Sequence, residues 1–120
     1  MLTIALLLLT TAVSPDPVLK VYEEKYAQRL APMTSELVRF PTYVDNTEAH
    51  AEQKAWLFAT AKELGFEARD AGKVTEIELP GPEGAPVLGL VIHGDVQRAE
   101  AEAWSVAPFS GEVIDGYVTG

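Results

Sequence analysis

The stretch PVLGLVIHGDV, which spans residues 86–96, decides the fold predicted for this 120-residue chain. Residues 86–92 form a continuous apolar run that follows a proline- and glycine-rich turn and ends at the polar triplet His93-Gly94-Asp95. Strands that are buried on both faces of a sheet have this length and composition. We therefore predict a buried strand at residues 86–92, with the polar triplet at its carboxyl end.

Two helical regions are predicted upstream of this strand. Apolar residues recur at three- and four-residue spacing from residue 18 to about residue 40, and Pro32 is expected to divide or kink that helix. A second helix is predicted from about residue 47 to residue 64. Its cap would come from the preceding Asp-Asn pair, and Gly65 would end it.

Short strands are predicted on both sides of the apolar run. Residues 66–69 and 74–79 alternate apolar and polar side chains, which is typical of half-buried strands. Residues 112–119 predict a hairpin whose tight turn is the Asp115-Gly116 pair. Helices followed by strands are typical of a layered α/β domain, so the predicted fold class is α/β.

Composition excludes several classes of function. The formal net charge of −9 repels phosphate backbones, and no basic cluster offsets it, so we predict no nucleic-acid partner. Hydrophobic residues make up 48% of the chain, which indicates a globular protein. The absence of cysteine excludes disulfides, thiol nucleophiles and cysteine-based zinc sites. Any metal would be held by Asp, Glu and the two histidines.

Residues 1–13 form an uncharged apolar stretch with four consecutive leucines at 6–9. The stretch is too short to span a bilayer as a helix, so we predict no stable membrane span. Small residues follow it, as they follow the apolar core of a signal peptide. We place that peptide at residues 1–14, which predicts a periplasmic or secreted protein. A cytoplasmic protein with a buried N-terminal segment is the alternative, favoured by Pro15 and by the lack of a basic residue before the run.

His93 and Asp95 are the candidate functional residues. Side chains two positions apart on an extended segment point to the same side. At the carboxyl end of a buried strand, where open α/β sheets commonly bind ligands, the two could share a cavity. They could be a metal ligand with its orienting carboxylate, a general base with its partner, or a solvated pair at a strand end. The spacing alone slightly favours the solvated pair.

The order of motifs around this pair resembles the M20 metallopeptidase family, most closely its dipeptidase branch. In that family an apolar strand ends in H-x-D, as at residues 87–95. A tryptophan and a Pro-Phe pair follow, as at Trp104 and residues 108–109. A D-G hairpin then leads onward, as at residues 115–120, and residues 36–42 are similar to the family's first helix and the loop after it.

The resemblance implies that residues 15–120 are the N-terminal part of a layered α/β/α catalytic domain of zinc-peptidase type, here incomplete. It implies that His93 ligates one of two bridged metal ions and that Asp95, which hydrogen-bonds this histidine, is a catalytic residue. The implied cofactor is a pair of zinc ions, or another divalent pair, that shares a water and polarises the amide carbonyl. The implied substrate is a peptide, especially a dipeptide, or a related amide. A homodimer would form through a domain that this sequence does not contain.

The sequence also departs from the family pattern. The family continues after the hairpin with R-G-x-x-D-x-K-G, which would begin at Gly120, and the other metal ligands follow later. Residues Gln97 and Arg98 replace the Val-Pro that often follows H-x-D, which bears on the shape of that loop. A single histidine ligand falls short of the roughly three protein ligands that a catalytic zinc needs. We therefore expect a fragment that is inactive alone. The alternative is a non-catalytic binding protein that retains the family's N-terminal half-domain.

Other candidate residues favour structural roles. His50 lacks the H-E-x-x-H spacing that places two imidazoles on one helix face, so we predict a solvated surface histidine. Trp56 lies among helical apolar positions and is expected in the core. Trp104 and Phe109 are expected to anchor the irregular segment 96–110. The chain has no G-x-S-x-G sequence, which argues against a serine hydrolase.

Overall fold

Helices precede two small antiparallel sheets in the computed structural model, which describes residues 14–120. The elements in chain order are α1 (Pro15–Lys25), α2 (Ala27–Val38), α3 (Thr47–Glu63), β1 (Glu67–Asp70), β2 (Thr75–Glu78), a 3-10 turn (Ala101–Ala103), β3 (Glu112–Ile114) and β4 (Tyr117–Thr119). The mixed α/β class is as predicted. Within the described range, no helix has the length and apolar character needed to cross a membrane. The predicted signal peptide, apart from Ser14, lies outside the described residues.

Helices α1 and α3 begin at capping side chains. The Ser14 hydroxyl accepts a hydrogen bond from the Asp16 amide at 3.3 Å, and Asn46 Oδ1 accepts one from the Ala49 amide at 3.2 Å. Each bond satisfies an amide that has no partner within the first turn of its helix. Helix α3 ends just before Gly65, whose φ of +80° is usual after a helix. The second predicted helix is thus confirmed together with its cap and its end.

The first helical region is divided at a different residue from the one predicted. The break between α1 and α2 lies at Tyr26, where a φ of −120° leaves the helical range. Pro32 lies inside α2 and does not divide the helix. Because proline lacks an amide hydrogen, Pro32 makes no hydrogen bond to the carbonyl of Gln28, and the helix continues through it.

The predicted short strands and the predicted hairpin are confirmed. Strands β1 and β2 pair with each other, as do β3 and β4. The turn between β3 and β4 is formed by Asp115 and Gly116, whose φ angles of +50° and +82° suit a two-residue hairpin turn. The hairpin is joined to α2, because the Ser35 hydroxyl donates a hydrogen bond to the Gly111 carbonyl.

The apolar run at residues 86–92 does not form the predicted buried strand. Its backbone makes no hydrogen bond to any other described residue. Its large apolar side chains are also exposed, from 79% at Leu90 to 102% at Val91. A strand of this kind needs neighbouring strands and a covering layer on each face. Strands β1 to β4 pair only among themselves, so the run has neither a neighbouring strand nor a covering layer among the described residues.

The best-packed region lies around α2, α3 and the loop between them. Ala49 and Ala61 on α3 are each 3% exposed, Ser35 on α2 is 7% exposed, and Thr42 in the loop is fully buried. The radius of gyration is 20.3 Å, whereas a compact domain of this length would have about 13–14 Å. The described residues therefore pack locally around this loop and do not surround one large core.

Trp56 lies at the edge of this packed region. Its side chain is half-buried on α3, so the core position predicted for it is realised only in part. The indole Nε1 donates a hydrogen bond to Glu36 Oε2 at 2.8 Å, and the ring centroid is 6.1 Å from that of Phe40. The tryptophan thus links α3 to α2 by one polar and one aromatic contact.

Candidate functional site

The polar triplet, here called the 93–95 turn, is a segment without regular secondary structure that is held by side chains from other elements. The Gly94 carbonyl accepts a hydrogen bond from Thr42 Oγ1 at 2.7 Å and another from Gln53 Nε2 at 3.2 Å. The amide of Val96 in turn donates to the Thr42 carbonyl at 3.1 Å. The 93–95 turn is therefore attached to the loop between α2 and α3 as well as to α3.

His93 and Asp95 lie side by side at this turn, as their spacing predicts. The His93 Nδ1 atom is 3.1 Å from the Asp95 carbonyl oxygen and 3.5 Å from the Asp95 Oδ1 atom. The hydrogen bond is to the carbonyl, because 3.5 Å is too long for a strong bond to the carboxylate. Both side chains are open to solvent, with exposed fractions of 86% for His93 and 54% for Asp95.

The contact at Nδ1 determines whether the other ring nitrogen, Nε2, carries a proton or a free lone pair. A carbonyl oxygen only accepts hydrogen bonds, so His93 Nδ1 carries the proton in this contact. The neutral ring then has its lone pair on Nε2, which makes no hydrogen bond to any described residue. Asp95 thus orients the imidazole so that Nε2 is free to bind a metal ion or accept a proton.

A second set of contacts holds the segment that follows the turn. The Arg98 guanidinium donates to both carboxylate oxygens of Asp45, at 2.7 and 2.5 Å. It also lies over the Tyr43 ring, 4.9 Å from its centroid, in a cation–π arrangement. Phe109 packs edge-on against the same ring at 5.5 Å. The chain after the turn is therefore fixed to the loop between α2 and α3.

Of the two residues predicted to anchor the segment 96–110, one does so and the other does not. Phe109 is half-buried against Tyr43 and fixes the end of the segment, as expected. Trp104 is 46% exposed, so the prediction that it anchors this segment is wrong. Arg98 attaches the beginning of the segment instead, through its ion pair and its ring contact.

His50 is not the freely solvated histidine that was predicted. Its side chain is half-buried, and its Nε2 lies 2.8 Å from the Tyr43 carbonyl oxygen. Position 50 is in the first turn of α3, where an imidazole reaches back to the preceding loop. His50 therefore supports the loop that carries Thr42 and lies outside the 93–95 turn.

An apolar cavity of about 650 Å³ lies beside the 93–95 turn. Its lining includes His93 and Asp95 together with aliphatic side chains from α2, α3, β2 and the exposed run, among them Leu37, Leu57, Ile77, Leu90 and Ile92. The two polar groups thus adjoin a surface that could accommodate an apolar group.

The donor set at the turn fits one corner of a metal centre. Within residues 14–120, no three side chains of His, Asp or Glu are placed together so that they could hold a metal ion. His93 supplies one nitrogen with a suitable tautomer, and Asp95 supplies the carboxylate and carbonyl next to it. A catalytic zinc ion needs about three protein ligands, so these residues can contribute to a zinc site and cannot complete one.

Comparisons with protein families, with curated proteins and with solved structures found no match to this chain. The resemblance to M20 metallopeptidases therefore rests on the quoted motifs and on the placement of His93 and Asp95.

Proposed function

We propose that residues 15–120 are the N-terminal part of the layered α/β/α catalytic domain of an exported M20-type di-zinc metallopeptidase. Its substrates would be peptides, especially dipeptides, or related amides. The observation that carries this proposal is the contact between His93 Nδ1 and the Asp95 carbonyl, which leaves Nε2 available as a ligand. A metal-ligating histidine commonly has its other ring nitrogen bonded in this way.

The roles of the two residues follow from this arrangement. His93 provides one metal ligand through Nε2, and Asp95 holds the ring and keeps the proton on Nδ1. A bound pair of divalent ions, zinc or another, would supply an activated water and polarise the amide carbonyl. Because one histidine cannot retain such a pair, the described residues have no hydrolytic activity alone.

The decisive experiment uses the product of the whole coding region that contains this chain. We expect the sequence R-G-x-x-D-x-K-G to follow from Gly120 and the protein to hydrolyse dipeptides in a zinc-dependent manner. His93→Ala should lower kcat/KM by more than about 100-fold, since it removes a direct ligand. Asp95→Asn keeps the backbone carbonyl that accepts from His93 Nδ1 and removes only the charge of the nearby carboxylate, so it should lower kcat/KM less than His93→Ala does.

The matched control is His50→Gln, which changes the other histidine of the chain and keeps a group that can hydrogen-bond Tyr43. This variant should retain the activity of the parent protein. Full activity of the His93→Ala variant, or the absence of the R-G-x-x-D-x-K-G motif, would refute the proposal.

A second candidate function is a non-catalytic interaction protein built on the same half-domain. The exposed apolar run at residues 86–92, with its unpaired backbone groups, favours this function. An extended segment of this kind can add to the edge strand of another protein's sheet. This function predicts cooperative thermal unfolding of the 120-residue chain and no change in its melting temperature when zinc is added.

A further inference from the structure

We propose that Thr42 is a positioning residue that fixes the conformation of the 93–95 turn and thereby the orientation of the His93 ring. That the oriented His93 ring ligates a metal ion rests on the proposed function. That Thr42 holds residues 93–95 in place is independent of the proposed function.

Thr42 holds both peptide groups that flank Asp95. Its hydroxyl donates to the Gly94 carbonyl at 2.7 Å, which fixes the peptide group between residues 94 and 95. Its carbonyl accepts from the Val96 amide at 3.1 Å, which fixes the next peptide group. Because peptide groups are planar, holding both of them determines φ and ψ of Asp95.

This restraint reaches the His93 ring through one peptide group. The Val96 amide points to Thr42, so the Asp95 carbonyl of the same trans peptide points the opposite way. That carbonyl is the acceptor 3.1 Å from His93 Nδ1. Rotating the peptide would therefore break the bond to Thr42 and release the imidazole together.

Thr42 is itself held firmly. Its side chain is fully buried, and its amide donates to the Phe40 carbonyl at 2.8 Å. The Tyr43 amide donates to the Pro41 carbonyl at 2.8 Å, and Asn46 Nδ2 donates to the same oxygen at 3.0 Å. These short turns connect Thr42 to the N-terminus of α3, so the turn is attached to a rigid element.

The other donor to Gly94 cannot replace Thr42. The Gln53 amide lies 3.2 Å from the Gly94 carbonyl in a bond that is open to solvent. Water competes with such a bond more than with the part-buried bond from Thr42, whose own side chain is fully buried. We therefore expect the Thr42 hydroxyl to account for most of the restraint on the turn.

The test compares three variants of the 120-residue chain. Thr42→Val removes the hydroxyl and keeps a β-branched side chain, and Thr42→Ser restores the hydroxyl. If the valine variant does not fold, Thr42→Ala removes the hydroxyl without adding a methyl group in its place. Ala61→Gly is the control for general destabilisation, because Ala61 is buried near the carboxyl end of α3, about two helical turns beyond Gln53.

Two measurements by NMR decide the proposal. Amide hydrogen exchange at Val96 should accelerate about tenfold in Thr42→Val, because the loss of the part-buried hydroxyl bond to Gly94 frees the peptide group next to the one that Val96 belongs to. The His93 ring ¹⁵N shifts, recorded where the ring is neutral, should show a loss of preference for the Nδ1–H tautomer. Thr42→Ser should resemble the parent chain in both. Ala61→Gly should lower the melting temperature and leave the His93 tautomer unchanged.

An unchanged tautomer in Thr42→Val, or an equal change in Ala61→Gly, would overturn the role of Thr42. Metal ligation by His93 is tested separately, in the product of the whole coding region, because one histidine alone does not retain a zinc ion. Full activity of the His93→Ala variant there would end the metal role, and the hydrogen-exchange and tautomer results on the 120-residue chain would still decide the role of Thr42.

Discussion

The contact between Lys54 and Asp70 joins α3 to β1 through single side chains. Lys54 Nζ lies 3.0 Å from both carboxylate oxygens of Asp70, and the Gly72 amide donates to Asp70 Oδ1 at 2.8 Å. These hydrogen bonds, first from Lys54 and then from Gly72, favour the charged carboxylate and lower the pKa of Asp70 below its ordinary value of 3.8. The attachment of β1 to α3 therefore depends on pH.

We predict that replacing Lys54 will raise the pKa of Asp70. In Lys54→Met the pKa should return toward 3.8 and stop short of it, because the Gly72 amide still donates to the carboxylate. A lowered pKa in the folded state means that the contact adds stability above the ordinary pKa and loses it as the pH falls through the folded-state value. The measurement is a ¹³C NMR titration of the Asp70 carboxyl group.

Lys62→Met is the control, since Lys62 lies on the same helix and Asp70 has no hydrogen bond to it. It should leave the titration of Asp70 unchanged. A pKa of Asp70 at or above 3.8 in the parent chain would contradict the prediction.

The contacts of individual site residues could be predicted from sequence only where the two partners are close together in the chain. The proximity of His93 and Asp95 follows from their separation of two residues on an extended segment. The partnership of Thr42 with Gly94 joins positions 52 residues apart, and that of Arg98 with Asp45 joins positions 53 apart. No local pattern specifies such pairs, because hydroxyl groups, ion pairs and carbonyls occur throughout the chain.

At the scale of elements, local backbone chemistry accounts for what was predicted correctly. Asn46 caps α3, Gly65 follows its last turn, and Asp115-Gly116 closes the hairpin because each residue suits the dihedral angles or hydrogen bonds required there. The break at Tyr26 was missed because tyrosine has no strong preference against helix. Pro32 was expected to divide or kink the helix, and α2 continues through it without a division.

The approach of the hairpin to α2 depends on a glycine, and we predict that Gly111→Ala will destabilise the chain. Gly111 has a φ of +61°, and an added Cβ would overlap the Ser35 carbonyl oxygen and lie 3.0 Å from two atoms of the Arg39 side chain. The variant should lose about 1–3 kcal/mol of unfolding free energy from overpacking, in addition to the cost of a non-glycine residue at positive φ. Urea denaturation followed by circular dichroism measures this loss.

Gly84→Ala isolates the effect of close packing at Gly111. Gly84 also has a positive φ, of +76°, and an added Cβ there would meet no atom within 4 Å. Its replacement should therefore cost only the strain of a non-glycine residue at positive φ, about 1–2 kcal/mol. Equal losses in the two variants would show that the hairpin does not approach α2 as described.

At the scale of the whole molecule, the sequence predicted a layered sheet, and the described residues do not form one. The apolar run at residues 86–92 has the composition of a central strand, and composition records only that a segment is suited to burial. Its burial depends on neighbouring strands and covering layers, and β1 to β4 supply neither. Under the proposed function, the rest of the catalytic domain would complete the sheet around this run.

The exposed run leads to a prediction about the behaviour of the whole chain. Contiguous apolar side chains with unpaired backbone groups favour association through strand pairing. We therefore expect the 120-residue chain to self-associate as its concentration rises, as measured by sedimentation velocity. Val91→Lys should reduce this association, because Val91 is 102% exposed and a charge within the run opposes the pairing of two copies.

The control for this prediction is Val44→Lys, which adds the same charge at an equally open position. Val44 is 89% exposed in the loop between α2 and α3, outside the apolar run, so its replacement should leave the association unchanged. A general effect of net charge would change both variants alike, since each makes the acidic chain less negative by one unit. Only a difference between the two variants assigns the association to the run, and a parent chain that stays monomeric at every concentration would contradict the prediction.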